Sequence, residues 1–83
     1  MKIFQAMVFK REIGTSCSLD VKMLDTVKDG VVLTFDQSAV KSNDLIFIKD
    51  FVTLHNLSLL LDSECYFIST NELKPSSLSV WEN

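Results

Sequence analysis

Apolar residues crowd the first ten positions in a pattern that fits an extended strand. Residues 2–10 (KIFQAMVFK) are rich in residues that favour β-structure, and apolar side chains occupy both even and odd positions. A central strand, which is covered on both faces, has this character. The pattern therefore predicts a first strand here. It also predicts a turn at residues 12–16, where Gly14 can adopt a positive φ.

The next segment predicts a second strand, with a helix as the alternative. Residues 16–23 (SCSLDVKM) alternate strictly between polar and apolar, which is typical of a half-buried strand. A helix over 18–28 also gathers apolar residues on one side, with Ser18 as its N-cap and Lys28 in its last turn. The strand is favoured because serine, cysteine and valine form helices poorly.

Two further strands are predicted in the middle of the chain. Asp29 and Gly30 form a dipeptide that is typical of hairpin turns. They precede residues 31–36 (VVLTFD), in which alternate apolar residues share a face. After a polar connection, residues 45–49 (LIFIK) form the kind of short apolar run that is found in buried strands.

Residues 51–67 (FVTLHNLSLLLDSECYF) contain the strongest apolar run and the only histidine. On a helix, the apolar residues of this stretch would point in nearly every direction, so a surface helix describes it poorly. Two short strands separated by a break at residues 55–56 fit better. The second strand enters a hairpin with its turn at 63–64, and the returning strand begins at Cys65.

Together these segments predict a mainly β fold, a small barrel or sandwich of five to six short antiparallel strands. The alternative is an α+β fold with one helix around Ser18 to Lys28. Residues 1–83 form a single domain in this interpretation, because the chain is too short for two. Residues 71–83 are predicted to be a loosely packed or partner-contacting tail.

The chain is more apolar than a small core requires. Of its 83 residues, 47% are hydrophobic, whereas a domain of this size buries only about 60–65% of the surface that its unfolded chain exposes. The surplus apolar residues are expected on the surface, where a contiguous patch marks an interface. We therefore expect a homo-oligomer or a tightly bound protein partner.

The charged residues argue against direct contact with nucleic acid. The formal net charge is −3, and the basic residues are scattered apart from the adjacent pair Lys10 and Arg11. Proteins that bind DNA or RNA usually carry a basic stripe or patch. A regulator that contacts nucleic acid as an oligomer is therefore only a third interpretation.

The sequence predicts a cytoplasmic protein without a membrane span. No apolar run approaches the ~20 residues that a spanning helix needs, and the N-terminal segment lacks the features of a signal peptide. Two well-separated cysteines, Cys17 and Cys65, fit a reducing compartment. Neither their spacing nor the glycine pattern predicts a metal, a nucleotide or another cofactor.

Three residues are weak candidates for catalysis. His55 and Cys65 form the only sensible nucleophilic pair, with Asp62 as an orienting carboxylate. A small cysteine-dependent enzyme is thus the second interpretation of function. However, a strand-length separates His55 from the hairpin turn, and most buried thiols are inert. We therefore predict no enzymatic activity and no small-molecule substrate.

Aromatic residues are the candidates for binding a partner. Trp81 lies near the end of the chain, and tryptophan is enriched among the residues that dominate binding energy. Phe51 and Tyr66 are further candidate anchors on predicted strand faces. The favoured interpretation is a small interaction or adaptor module that self-associates and acts by binding another protein.

Overall fold

The fold is α+β: two helices lie on one face of an open four-stranded antiparallel sheet. The computed structural model describes residues 1–27 and 29–70. The strand order is β1-β2-β4-β3, so the predicted barrel or sandwich of five to six strands is wrong. The elements are, in chain order, α1 (Ile3–Cys17), β1 (Lys22–Thr26), β2 (Gly30–Asp36), a 3-10 turn (Gln37–Ala39), α2 (Ser42–Leu54), β3 (Ser58–Asp62) and β4 (Cys65–Ser69).

The first predicted strand is a helix. In α1, Ala6, Phe9, Ile13 and Cys17 are buried, at the spacing of one helical face. The opposite face of its first two turns is also apolar, so that both faces of the segment look buried. The prediction failed because a helix that is apolar on both sides and a strand that is covered on both sides share the same sequence character.

The alternative helix over 18–28 is also wrong. Ser18 does not begin a helix but ends α1, with a φ of 54° in the left-handed region that commonly terminates helices. The chain then turns into the sheet, and β1 begins at Lys22. The strand interpretation of residues 16–23 was correct only for Lys22 and Met23, because α1 extends to Cys17 and β1 begins at Lys22.

The run at 45–49 is likewise helical rather than a strand. It lies inside α2, where Ile48, Phe51 and Val52 are buried. The start of α2 is fixed by Asp44, whose carboxylate accepts a hydrogen bond of 3.2 Å from the backbone N–H of Lys41. The predicted break at 55–56 is real, but it is the end of this helix, with Asn56 at a φ of 55°.

Both predicted hairpins are confirmed. The turn between β1 and β2 contains Asp29, and the turn between β3 and β4 consists of Ser63 and Glu64. These two residues have φ values of 51° and 66°, as a tight turn that matches the twist of its strands requires. In β2, alternate apolar residues share the face that packs on the helices, also as predicted.

A buried threonine holds the first hairpin turn. The Thr26 hydroxyl donates to the carbonyl of Gly30 at 2.7 Å and accepts from the backbone N–H of Asp29 at 3.0 Å. We expect Thr26→Val to lower the free energy of unfolding by about 1–3 kcal/mol, because polar groups lose their partners in a half-buried turn. Urea titration followed by circular dichroism measures this loss.

Thr53→Val is the matched control for this substitution. The Thr53 hydroxyl donates only to the carbonyl of Lys49 in the exposed part of α2, where valine should change stability by no more than about 0.5 kcal/mol. Equal losses in the two variants would show that the Thr26 hydrogen bonds do not stabilise the turn.

The two halves of the chain have the same αββ order. Each half runs from a helix, through a residue with positive φ, into a hairpin. The inner strands β2 and β4 pair with each other, and their register places Leu33 opposite Ile68. This arrangement has approximate two-fold symmetry about the Leu33–Ile68 pair, although the sequences of the two halves show no repeat.

The sheet separates two apolar clusters. The core lies between the sheet and both helices, and it includes Leu33 and Ile68, each without exposed surface. A smaller cluster lies on the opposite face of the sheet, which we call the back face. It consists of Val32, Phe67, Leu24, Leu60 and Cys65. Among the described residues, no helix has the length and apolar character needed to cross a bilayer.

Candidate functional site

The structure places His55 beside the helices. It directly follows α2, is exposed, and packs its ring against Phe9 and Phe51. The ring centroids lie 4.8 Å from that of Phe9 and 4.5 Å from that of Phe51. His55 thus belongs to the edge of the helical layer, on the side of the sheet that carries the main core.

Cys65 lies on the back face of the sheet. Asp36 is its partner on β2 and Asp62 its partner on β3, so two carboxyl side chains flank the thiol. The Cys65 Sγ donates a long hydrogen bond of 3.7 Å to Asp36 Oδ1. The sheet places Asp62 next to Cys65 and away from His55, whereas the catalytic interpretation requires the carboxylate beside the histidine and the histidine beside the thiol.

The surroundings of Cys65 disfavour a reactive thiolate. Burial raises the pKa of the Cys65 thiol, and the nearby carboxylate of Asp36 raises it further. A raised pKa means that less thiolate is present at neutral pH, whereas a catalytic cysteine needs more. The thiol of Cys65 is therefore mainly protonated at neutral pH, and His55, the base of the catalytic interpretation, lies on the other side of the sheet.

We expect iodoacetamide to modify Cys65 slowly near neutral pH, with a rate that is still rising with pH where the rate of an ordinary cysteine has levelled off. Asp36→Asn should lower the pKa of Cys65 and speed the reaction, because the substitution removes a negative charge and keeps the side chain's shape. Peptide mass spectrometry across a pH series gives the rate at this site.

Asp50→Asn, on the exposed surface of α2, is the control with the same change in net charge. Fast modification of wild-type Cys65 at neutral pH would restore the cysteine-dependent enzyme as an interpretation. An acceleration of the same size in both variants would show a general effect of charge on the reagent.

The second cysteine, Cys17, is also unsuited to nucleophilic catalysis. Cys17 is buried at the end of α1, and both cysteines are free thiols. Burial, followed by the charge of Asp44, raises the pKa of Cys17. Within residues 1–27 and 29–70, no group of three or more histidine, cysteine or acidic side chains could hold a metal ion.

The aromatic residues that the sequence proposed as anchors occupy different environments. Phe51 is buried in the core, where its ring meets that of Phe9 edge-on at 5.2 Å. Tyr66 is half-buried on the helix side of the sheet, and its ring centroid lies 5.7 Å from that of Phe35. Trp81 and the predicted tail at 71–83 lie outside the described residues.

Among the described residues, the largest group of neighbouring exposed apolar side chains lies on α1. Its outward-facing side chains near the N-terminus are Ile3, Phe4, Met7 and Val8, which we call the α1 patch. Phe4 is 76% exposed, Ile3 63%, Met7 54% and Val8 40%. A helix that is apolar on both faces is usually covered on both, so the α1 patch is the strongest candidate for a binding surface.

Charged residues border the α1 patch on one side. Arg11 and Glu12 follow one turn later on α1, and with Phe4, Met7 and Val8 they line a shallow depression. Through Met7 and Arg11 the surface continues into a groove between α1 and the edge strand β1, which is also lined by Met23. The surface thus combines an apolar centre with a polar rim, as protein interfaces do.

Other exposed apolar residues do not form a comparable surface. On α2, the adjacent residues Ile46 and Phe47 are 62% and 37% exposed, and Leu54, about two turns later, is 77% exposed. Val27, in the first hairpin turn, is 85% exposed. Single exposed apolar residues of this kind are normal on soluble domains. The sequence could have indicated the α1 patch, because residues 3–13 place apolar side chains on opposite sides of a helix.

Known proteins offer no further guide to this surface. Comparison of the chain with protein-family models, with curated protein sequences and with solved structures finds no match. The candidate site is therefore defined by its geometry alone. It is an exposed apolar helix surface with a charged border.

Proposed function

We propose that this protein acts by binding, as a small interaction module that self-associates through the α1 patch. The exposure of Phe4, at 76% on a helix whose other face is fully used by the core, carries the proposal. Leaving a large aromatic side chain in water forgoes about 1.5–3 kcal/mol of favourable burial. Covering the α1 patch recovers that energy.

A second copy of the chain is the partner that fits this surface. In a two-fold dimer, the same patch meets itself, so each residue pairs with a different residue of the other copy. Two antiparallel α1 helices that meet through Phe4, Met7 and Val8 leave the charged residues Arg11 and Glu12 at the border of the interface.

The size of the surface sets the strength of the association. A stable interface typically buries about 800 Å² on each partner, and four side chains on two turns of one helix provide only part of this area. We therefore expect a dissociation constant on the order of micromolar, which corresponds to about 8 kcal/mol. With such an affinity, the two copies can dissociate and leave the α1 patch free to bind another protein.

A binding role also agrees with the chemistry of the cysteines. Neither thiol has an activating base, and the sheet separates Cys65 from His55, so the proposal assigns no enzymatic activity. Two unpaired thiols in a folded domain support a reducing compartment. We accordingly propose that the protein works in the cytoplasm.

Sedimentation velocity of the wild-type protein over a wide concentration range tests the proposal. The expected result is a reversible increase of the weight-average sedimentation coefficient between about 1 µM and about 1 mM, as a micromolar dissociation constant requires. A monomer throughout this range would overturn it. Flotation of a monomeric protein with vesicles would also overturn it, and would assign the α1 patch to a lipid surface.

A further inference from the structure

The edge strand β1 leaves one of its sides open to a further strand. Among the described residues, β1 pairs only with β2, so its outer side has no partner strand there. An edge of this kind presents backbone N–H and C=O groups that a strand of another chain can bind. Lys22, Met23 and Asp25 are exposed along β1, so the described part of the protein leaves this edge accessible.

A groove runs beside this edge, between β1 and α1. It has a volume of about 370 Å³, and we call it the β1 groove. Met7, Lys10, Arg11 and Gly14 line it from α1, at the spacing of one helical stripe. Met23 lines it from β1 and, like Met7, has a flexible apolar side chain that adapts to different partners. The β1 groove therefore offers apolar contact next to free backbone groups.

The charges of the β1 groove favour an acidic occupant. Lys10 and Arg11 are exposed, and neither forms an ion pair with another described residue. Asp20 is the only acid among the residues that line the groove. Two cations and one carboxylate give the lining a formal charge of +1, whereas the whole chain has a net charge of −3. The groove is thus a basic site on an acidic protein.

We propose that the β1 groove binds an extended acidic segment of a partner protein, which adds to β1 as a fifth strand. In strand addition, backbone hydrogen bonds supply the affinity and alternate side chains supply the specificity. Successive side chains of the added strand point to opposite faces of the sheet, so every second one lies on the side that carries α1. Acidic side chains at these positions reach Lys10 and Arg11, and the strand covers the exposed side chain of Met23.

This inference goes beyond the proposed self-association and does not depend on it. The β1 groove is formed within a single copy of the chain. However, Met7 and Arg11 border both the groove and the α1 patch, so binding is measured in the wild type and in Phe4→Glu. Phe4 belongs to the α1 patch and does not line the groove. Binding in both proteins would support the inference whether or not the copies associate.

NMR titration of the isotope-labelled full-length protein with three short synthetic peptides tests the proposal. The acidic peptide alternates glutamate and valine, the basic peptide has lysine in place of glutamate, and the third is the acidic peptide with every backbone nitrogen methylated. We expect only the first to shift the amide signals of β1 and of Lys10, because it alone combines negative charge with free backbone donors. Failure of the acidic peptide to bind would overturn the inference, as would equal binding of either other peptide.

Two exposed lysines, one on each helix, provide a matched pair of variants. Lys10→Glu should weaken binding of the acidic peptide about three- to tenfold, because it replaces an attraction with a repulsion at an exposed site. Lys49→Glu makes the same change on the exposed surface of α2 and should bind as the wild type does. Circular dichroism confirms that each variant is folded. Equal weakening in both folded variants would overturn the proposed contact, as would peptide-induced shifts confined to β3, the other edge strand.

Discussion

Replacing Leu33 with alanine is expected to remove a large share of the protein's stability. Leu33 has no exposed surface and faces Ile68 at the centre of the sheet, where the two αββ halves meet. Truncating a fully buried leucine typically costs about 3–5 kcal/mol, since the remaining cavity adds to the lost burial. A domain of 83 residues has a total stability of only about 4–12 kcal/mol.

Urea denaturation followed by circular dichroism measures this loss, with Leu54→Ala as the control. Leu54 is 77% exposed at the end of α2, so the same chemical change there should alter stability by no more than about 0.5 kcal/mol. If Leu33→Ala unfolds at the same urea concentration as Leu54→Ala, the two halves do not share one core at this position.

The strands that the sequence predicted correctly are those bounded by strong turn signals. Asp29 and Gly30 mark one hairpin, and the polar pair Ser63 and Glu64 marks the other. In β4 the side chains alternate between the two clusters, as successive side chains of a strand do. The turn residues were sufficient to predict these strands, because a tight turn fixes the register of both its strands.

The helices were missed because their sequences do not show one apolar face and one polar face. In α1, Phe9 is buried while Phe4 and Met7 are exposed, so no single polar side identifies the helix. In α2, the exposed Ile46 and the buried Ile48 have the same effect. Periodicity identifies a helix only when its outer face is polar, and this protein leaves apolar residues on that face.

The surplus of apolar residues correctly predicted exposed apolar surface, but not its position. Locating the α1 patch required knowing that residues 3–17 form a helix, since a strand would have distributed the same residues over two buried faces. The sequence also could not give the distance between His55 and Cys65. Sequence spacing could not show that the sheet lies between them, because that depends on which face of β4 carries Cys65.

Substituting Phe4 with glutamate should strongly weaken self-association while leaving the monomer folded. In the proposed dimer, two-fold symmetry would bury two unpaired carboxylates in an apolar interface, which is strongly unfavourable. We expect the dissociation constant to rise at least about 100-fold, or about 2.7 kcal/mol. The first turn of α1 has no acidic residue, and a carboxylate there stabilises a helix by about 0.3–1 kcal/mol.

Ile46→Glu is the control that separates the α1 patch from a general effect of charge. Ile46 is 62% exposed in the N-terminal half of α2, so the variant gains the same negative charge on an exposed helix surface outside the α1 patch. At about 10 µM, sedimentation velocity should show mainly monomer for Phe4→Glu and wild-type association for Ile46→Glu. If both variants dissociate equally, added net charge is sufficient to separate the copies. If neither dissociates, the copies associate through a surface other than the α1 patch.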